Sequence, residues 1–130
     1  MNEILIPISP GELLDKITIL QIKSERIADP AKVANVTTEL EMLEKVWREA
    51  VSDDDVIRAL STELRKINEE LWEIEDDIRD EERNKRFGDR FVELARAVYV
   101  TNDKRAEAKK KVNLHLNSSI VEEKSYQDYT

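Results

Sequence analysis

The stretch SPGELLDKITILQIKSERI, residues 9–27, decides the fold because it is the most hydrophobic helical segment of the chain and has the clearest boundary signals. Ser9 at the N-cap and Glu12 three residues later form a capping box. Pro10 takes the first helical position, where its missing N–H costs nothing. These signals predict a helix that begins at Pro10.

Apolar side chains lie on two sides of this predicted helix. Ile19 and Ile22 point away from the main apolar face, together with the polar Asp15 and Arg26. A helix with two apolar sides is expected to be covered twice, so we expect it to be the central helix of the fold. The main face comprises Leu13, Leu14, Ile17, Leu20, Ser24 and Ile27.

The composition of the whole chain favours long helices. Its 130 residues have the length of one ordinary domain, so we expect a single helical domain over residues 1–130. Only two glycines and three prolines occur, and charged residues make up 38%, which leaves little material for the turns of an all-β fold. The absence of cysteine excludes disulfides, thiol nucleophiles and thiolate metal sites.

The net charge and the hydropathy restrict the partners. A net charge of −8 argues against nucleic-acid binding, because a phosphate backbone favours basic surfaces. No apolar run approaches the ~20 residues of a membrane span, and the N-terminus lacks the pattern of a signal peptide. We therefore expect a soluble, cytoplasmic protein that does not bind nucleic acid. No motif points to a cofactor.

The rest of the chain predicts three further helices. The second follows a cap signal at Asp29, and the third begins after Ser52 and continues for ~30 residues until Asn84. The fourth begins after Gly88 and ends near Asn117. We expect an all-α bundle of about four helices with coiled-coil-like packing, in which the long third helix overhangs the first.

Both ends of the chain are expected to be irregular. Residues 3–8 are β-branched and interrupted by proline, which predicts a short extended segment without a partner strand. Residues 118–130 have no periodicity, but two aliphatic side chains and two tyrosines give this tail a means of docking on the bundle or on a partner.

The most informative irregularity lies in the fourth helix, where Asn102, Arg105 and Lys109 occupy positions of its apolar face. A buried cation needs a partner, so three arrangements remain open. In the first, the two cations are solvent-exposed and only the aliphatic parts of their side chains lie on apolar groups. In the second, Glu75 and Glu82 of the third helix neutralise them. In the third, they line an anion-binding cleft.

In the third arrangement, the central helix completes a basic pocket for a phosphate or a carboxylate. Lys16, Lys23 and Arg26 are its candidate contributors, and Asp15 would steer the guanidinium of Arg105. The candidate ligand-binding residues are therefore Lys16, Lys23, Arg26, Asn102, Arg105 and Lys109.

Two acidic pairs resemble the magnesium-binding pattern of all-helical nucleotide pyrophosphohydrolases. They are Glu41-x-x-Glu44 and Glu73-x-x-Asp76. Their helical phase is unfavourable, because Glu41, Glu73 and Asp76 point away from the apolar faces of their helices. We expect no metal site from them, and this enzyme class is the least favoured alternative.

The predicted first helix is also similar to the start of an all-helical chorismate mutase. The similarity rests on Asp15, Ile17, Leu20 and Arg26 and covers less than a fifth of the chain. It identifies no catalytic residue, so whether the chain is an enzyme stays open.

Four segments together resemble an uncharacterised family of small bacterial and phage proteins. They are PGELLDKITILQIKSERI at residues 10–27, LWEIEDDIR at 71–79, ELARAVYVTNDKRAEAK at 93–109 and EEKSYQDY at 122–129. Some members of that family occur beside glycosyltransferase or tetratricopeptide modules. The resemblance therefore implies a link to glycan biosynthesis but no activity and no site residue.

Two functions of different kinds follow. The favoured one is a non-catalytic helical module for interaction or regulation, and the alternative is an enzyme or binding protein for a phosphorylated or carboxylated metabolite. The doubly apolar first helix and the overhanging third helix also predict a homodimer, because a four-helix monomer of this length covers both with difficulty. The partners we expect are thus a second copy, another protein or an anionic metabolite.

Overall fold

A computed structural model describes residues 3–130, and these form four α-helices and no strand. The helices are α1 (Pro10–Arg26), α2 (Pro30–Ala50), α3 (Asp55–Arg83) and α4 (Asp89–His115). The predicted all-α class is confirmed. Within residues 3–130, the helices are too short or too polar to cross a membrane.

The first helix is the centre of the fold. It packs against each of the other three helices, whereas α2 packs along α1 and adds Trp47 to the edge of the main core, and α3 packs mainly along α4. Leu14 on one side of α1 joins the main core with Leu64 and Val112, and Ile22 on the other side is equally buried. The expectation that this helix is covered on two faces is confirmed.

Local capping explains where the helices begin. The Ser9 hydroxyl accepts a hydrogen bond from the Glu12 backbone N–H at 3.2 Å, as the capping signal predicts. The third helix begins later than expected, because Asp54 and not Ser52 is its N-cap. The Asp54 carboxylate accepts from the backbone N–H of Ile57 at 2.7 Å, and a carboxylate also interacts favourably with the helix dipole there.

The third and fourth helices form a long hairpin. With 29 and 27 residues they are each about 40 Å long, whereas α1 has 17 residues. The predicted overhang of the third helix is therefore present, but α4 accompanies it along nearly its whole length. We call residues 80–95, the distal end of this hairpin, the arm.

The two ends of the chain differ in their contacts. Residues 3–9 have no regular secondary structure, and Ile4, Leu5 and Ile6 are exposed. The C-terminal tail, residues 118–130, also has no helix but contacts α4. In the tail, the Tyr129 hydroxyl donates to Asp103 at 2.6 Å, and its ring packs edge-to-face on Tyr99.

Candidate functional site

A buried carboxylate lies where α1, α3 and α4 meet. Asp15 is fully buried, and Arg105 of α4 donates to both of its oxygens, with 2.9 Å between Nε and Oδ1. Asn68 of α3 donates to the same Oδ1, also at 2.9 Å. Three helices thus contribute one side chain each to a single polar centre.

Thr18 completes the hydrogen bonding of this centre. The Asn68 Nδ2 group donates its second hydrogen bond to the Thr18 hydroxyl at 3.0 Å, and that hydroxyl donates to the backbone oxygen of Asp15 at 2.9 Å. No buried side-chain polar atom within the described residues 3–130 lacks a partner. A fully satisfied network of this kind holds its members in one geometry.

Arg105 is the one member of the centre that reaches solvent. Its side chain is 30% exposed, while that of Asp15 is 1% exposed. Hydrogen bonds to Asp15 raise the pKa of Arg105 above its ordinary value, against the opposing effect of burial. A buried ion pair can often be replaced by apolar residues without loss of stability, so the presence of this pair says little about the stability of the fold. It says more about the guanidinium of Arg105, which the pair holds in one orientation.

Arg105 lines a cleft of about 410 Å³ between α1, α3 and α4. Its apolar surface comes from two side chains of α1 and two of α3. These are Ile19, Ile22, Leu71 and Trp72. Asn68 and Arg105 of the polar centre also line the cleft. Its other polar groups are Lys23 of α1, Asn102 of α4, and Glu75, Asp76 and Arg79 of α3.

Several polar groups of this cleft are free to bind a ligand. Within residues 3–130, the ammonium of Lys23, the amide of Asn102 and the indole N–H of Trp72 form no side-chain hydrogen bond and no ion pair. Asp76 likewise has no ion-pair partner there, whereas Glu75 pairs with Arg79 at 3.2 Å. A pocket with an apolar wall and a few convergent polar groups is the usual form of a small-molecule site.

The structure brings together three of the six candidate residues predicted from sequence. Lys23, Asn102 and Arg105 line the cleft. Lys16 and Arg26 do not line it: Lys16 is exposed, 3.9 Å from Glu12, and Arg26 contacts Glu73 at 3.4 Å.

The sixth candidate, Lys109, belongs to a separate contact between α1, α4 and the tail. Its Nζ lies 2.5 Å from Glu12 and 2.9 Å from Glu122, and the residue is only 8% exposed. Burial lowers the pKa of Lys109, but the hydrogen bonds to both carboxylates outweigh it, so the pKa lies above its ordinary value. Lys109 is thus paired within the chain.

Arg105 pairs with Asp15, as the sequence suggested, but the carboxylates expected to neutralise the cations within the bundle, Glu75 and Glu82, pair with neither Arg105 nor Lys109. Glu75 and Glu82 of α3 pair instead with Arg79 and with Lys85. The physical reason is that α1 packs against this part of α4 and presents its own carboxylates there.

A close approach of two helices makes the Lys109 contact possible. The backbone N–H of Gly11 donates to the Asn113 side chain at 2.7 Å, so α4 supplies a cap for the first turn of α1. A Cβ at Gly11 would lie 2.4 Å from the backbone oxygen of Lys109.

Sequence reasoning missed Thr18 and Asn113, which carry no motif of their own.

The two acidic pairs do not converge. In residues 3–130 no group of three or more histidine or acidic side chains is placed to hold a metal ion. Glu73 contacts Arg26, and Asp76 lies in the cleft beside Trp72. The magnesium-binding pattern of a pyrophosphohydrolase is therefore not formed by these pairs.

Comparison with known proteins gives a family. The model of DUF6165, a family of unknown function, matches residues 4–129, so the chain belongs to this family. Neither a curated protein nor a solved structure matches the chain.

Proposed function

We propose that this member of DUF6165 is a non-catalytic helical module that binds a small acid, with a carboxylate or phosphate group, in the cleft beside Arg105. The binding would serve an interaction or regulatory role in the cytoplasm. Glycan biosynthesis, in bacteria or phages, is the setting that the sequence resemblance adds to this proposal.

The single observation that supports it best is that Arg105 and Lys23 line the same cleft. Asp15 accepts from Nε and from one terminal nitrogen of the guanidinium; within residues 3–130 the other N–H groups of Arg105 have no hydrogen-bond partner, and Arg105 lines the cleft. A preorganised guanidinium is suited to oxyanions, because little rotational freedom is lost when it binds. Lys23 adds a cation without a partner in the described chain.

Binding of simple acids tests the proposal. We expect phosphate or hexanoate at millimolar concentration to raise the melting temperature of the purified protein, because a ligand that binds only the folded state stabilises it. Lys23→Ala should remove most of this effect. Lys16→Ala is the matched control, because it removes the same charge from an exposed position of the same helix outside the cleft.

The possible results separate clearly. Stabilisation that depends on Lys23 and not on Lys16 supports acid binding in the cleft. Equal loss in both variants indicates a nonspecific charge effect and contradicts it, as does the absence of stabilisation by either acid.

We also propose that the protein is a homodimer whose arms pack together. The two faces of α1 are covered within the chain, so of the two features that predicted a dimer the overhanging hairpin remains. In residues 3–130, neither α1 nor α2 forms a hydrogen bond or ion pair with the arm. Phe87 and Val92 of the arm are 53% and 51% exposed. Two hairpins side by side would give a four-helix bundle and cover these side chains.

A further inference from the structure

We infer that the acid bound in the cleft also carries a positively charged group, so that the ligand is a zwitterion. The inference rests on the proposed function, because it takes acid binding by Lys23 and Arg105 as its starting point. It is carried by a second feature of the same cleft, the carboxylate of Asp76, which no cation of the described chain pairs with.

Opposite charges on two walls of the cleft remain separate. Lys23 belongs to α1 and Asp76 to α3, and both line the cleft, yet no ion pair joins them. The neighbouring cation Arg79 pairs with Glu75 at 3.2 Å and not with Asp76. The cleft is therefore lined by an unpaired cation, Lys23, on α1 and by an unpaired, exposed carboxylate, Asp76, on α3.

A ligand with a single charge pairs with only one of these two groups. A simple acid that pairs with Lys23 would leave the exposed carboxylate of Asp76 without a partner. An added ammonium group would form a second, partly exposed ion pair with Asp76. The apolar body between the two charged groups would lie against Ile19 and the ring of Trp72.

Four probes with the same carbon chain test the inference by calorimetric titration. They are hexanoate, 6-aminohexanoate, 6-hydroxyhexanoate and hexylammonium. We expect 6-aminohexanoate to bind about three- to fivefold more tightly than hexanoate, which is the size of effect expected for a partly exposed ion pair. Asp76→Asn should abolish this preference and leave the affinity for hexanoate unchanged or higher.

Asp77→Asn is the control for the loss of charge, because Asp77 is the adjacent residue of α3 and pairs with Arg90 outside the cleft. It should keep the preference for 6-aminohexanoate.

Each contrary result has a defined meaning. Equal affinity for hexanoate and 6-aminohexanoate overturns the inference and leaves acid binding intact. An equal gain from the hydroxyl probe also overturns it, because Asp76 then accepts a neutral hydrogen bond. If hexylammonium binds as tightly as 6-aminohexanoate and hexanoate does not bind, both this inference and the acid-binding function fail.

Discussion

At the scale of single residues, the contact between Asp15 and Arg105 links the core to the cleft. The carboxylate is fully buried and receives hydrogen bonds from Arg105 and Asn68. Removing one member of such a pair costs far more than replacing both, because a buried charge is left without a partner. The pair therefore stabilises the fold only as a unit.

Arg105→Met is predicted to lower the free energy of unfolding by about 3–5 kcal/mol, since Asp15 loses its cation in a buried site. Urea unfolding followed by circular dichroism measures the loss. The double variant with Asp15→Leu should recover much of it. If Arg105→Met leaves stability unchanged, the guanidinium is a surface group and the description of the polar centre is wrong.

Gly11→Ala is predicted to destabilise the protein by about 1–3 kcal/mol, because its Cβ would meet the Lys109 carbonyl and force α1 away from α4. Gly88→Ala is the matched control. No atom lies within 4 Å of a Cβ there, and the backbone φ is −86°. Thermal unfolding of both variants makes the comparison, and an equal effect would contradict the close approach at Gly11.

At the scale of the helices, the boundaries were predictable where the cap lies in the local sequence. Ser9 before α1 and Asp29 before α2 cap as expected. The turn after α3 was less predictable, because Lys85 and not Gly88 takes the left-handed conformation, with φ 56°. A glycine at that position would have carried a clear signal, and a lysine carries none.

Lys109 of α4 pairs with carboxylates of α1 and of the tail, and the stability that these ion pairs contribute depends on pH. The pKa of Lys109 is raised in the folded state, so its contribution is fully present below the ordinary value of 10.5 and is lost as pH rises through the higher folded value. Lys109→Gln should cost about 1–2 kcal/mol at pH 8, between the values for surface and buried pairs.

The difference in stability between the wild type and Lys109→Gln should therefore shrink above pH 10.5. Urea unfolding of both proteins between pH 8 and pH 11.5 measures it. A difference that stays constant or grows with pH would show that the ammonium is not responsible for the stabilisation.

At the scale of the whole molecule, the register of α4 predicted that its cations need partners but could not identify them. Asp15 was placed correctly beside Arg105 because both depart from an apolar pattern on facing helices. Lys109 and Lys23 could not be assigned to separate places, since the angle at which α1 crosses α4 depends on packing at Gly11. The crossing angle cannot be predicted from the positions of residues around each helix alone.

The proposed dimer is also a property of the whole molecule. Light scattering at tens of micromolar protein should give twice the monomer mass, because a standard interface persists at that concentration. Val92→Glu, in the arm, should give a monomer. Val46→Glu on α2 is the control, because Val46 is 48% exposed and Val92 is 51% exposed. A monomeric wild type contradicts the proposal, and dissociation by Val46→Glu alone places the interface on α2.

Binding of a small acid in the cleft beside Arg105 can be tested directly, because the chain has two tryptophans. Trp72 lines the cleft, while Trp47 lies on α2 and packs against the main core. In a ¹H–¹⁵N correlation spectrum, titration with 6-aminohexanoate should shift the indole signal of Trp72 saturably and leave that of Trp47 in place. A shift of Trp47 alone, equal shifts of both, or no shift at saturating concentration would contradict the account.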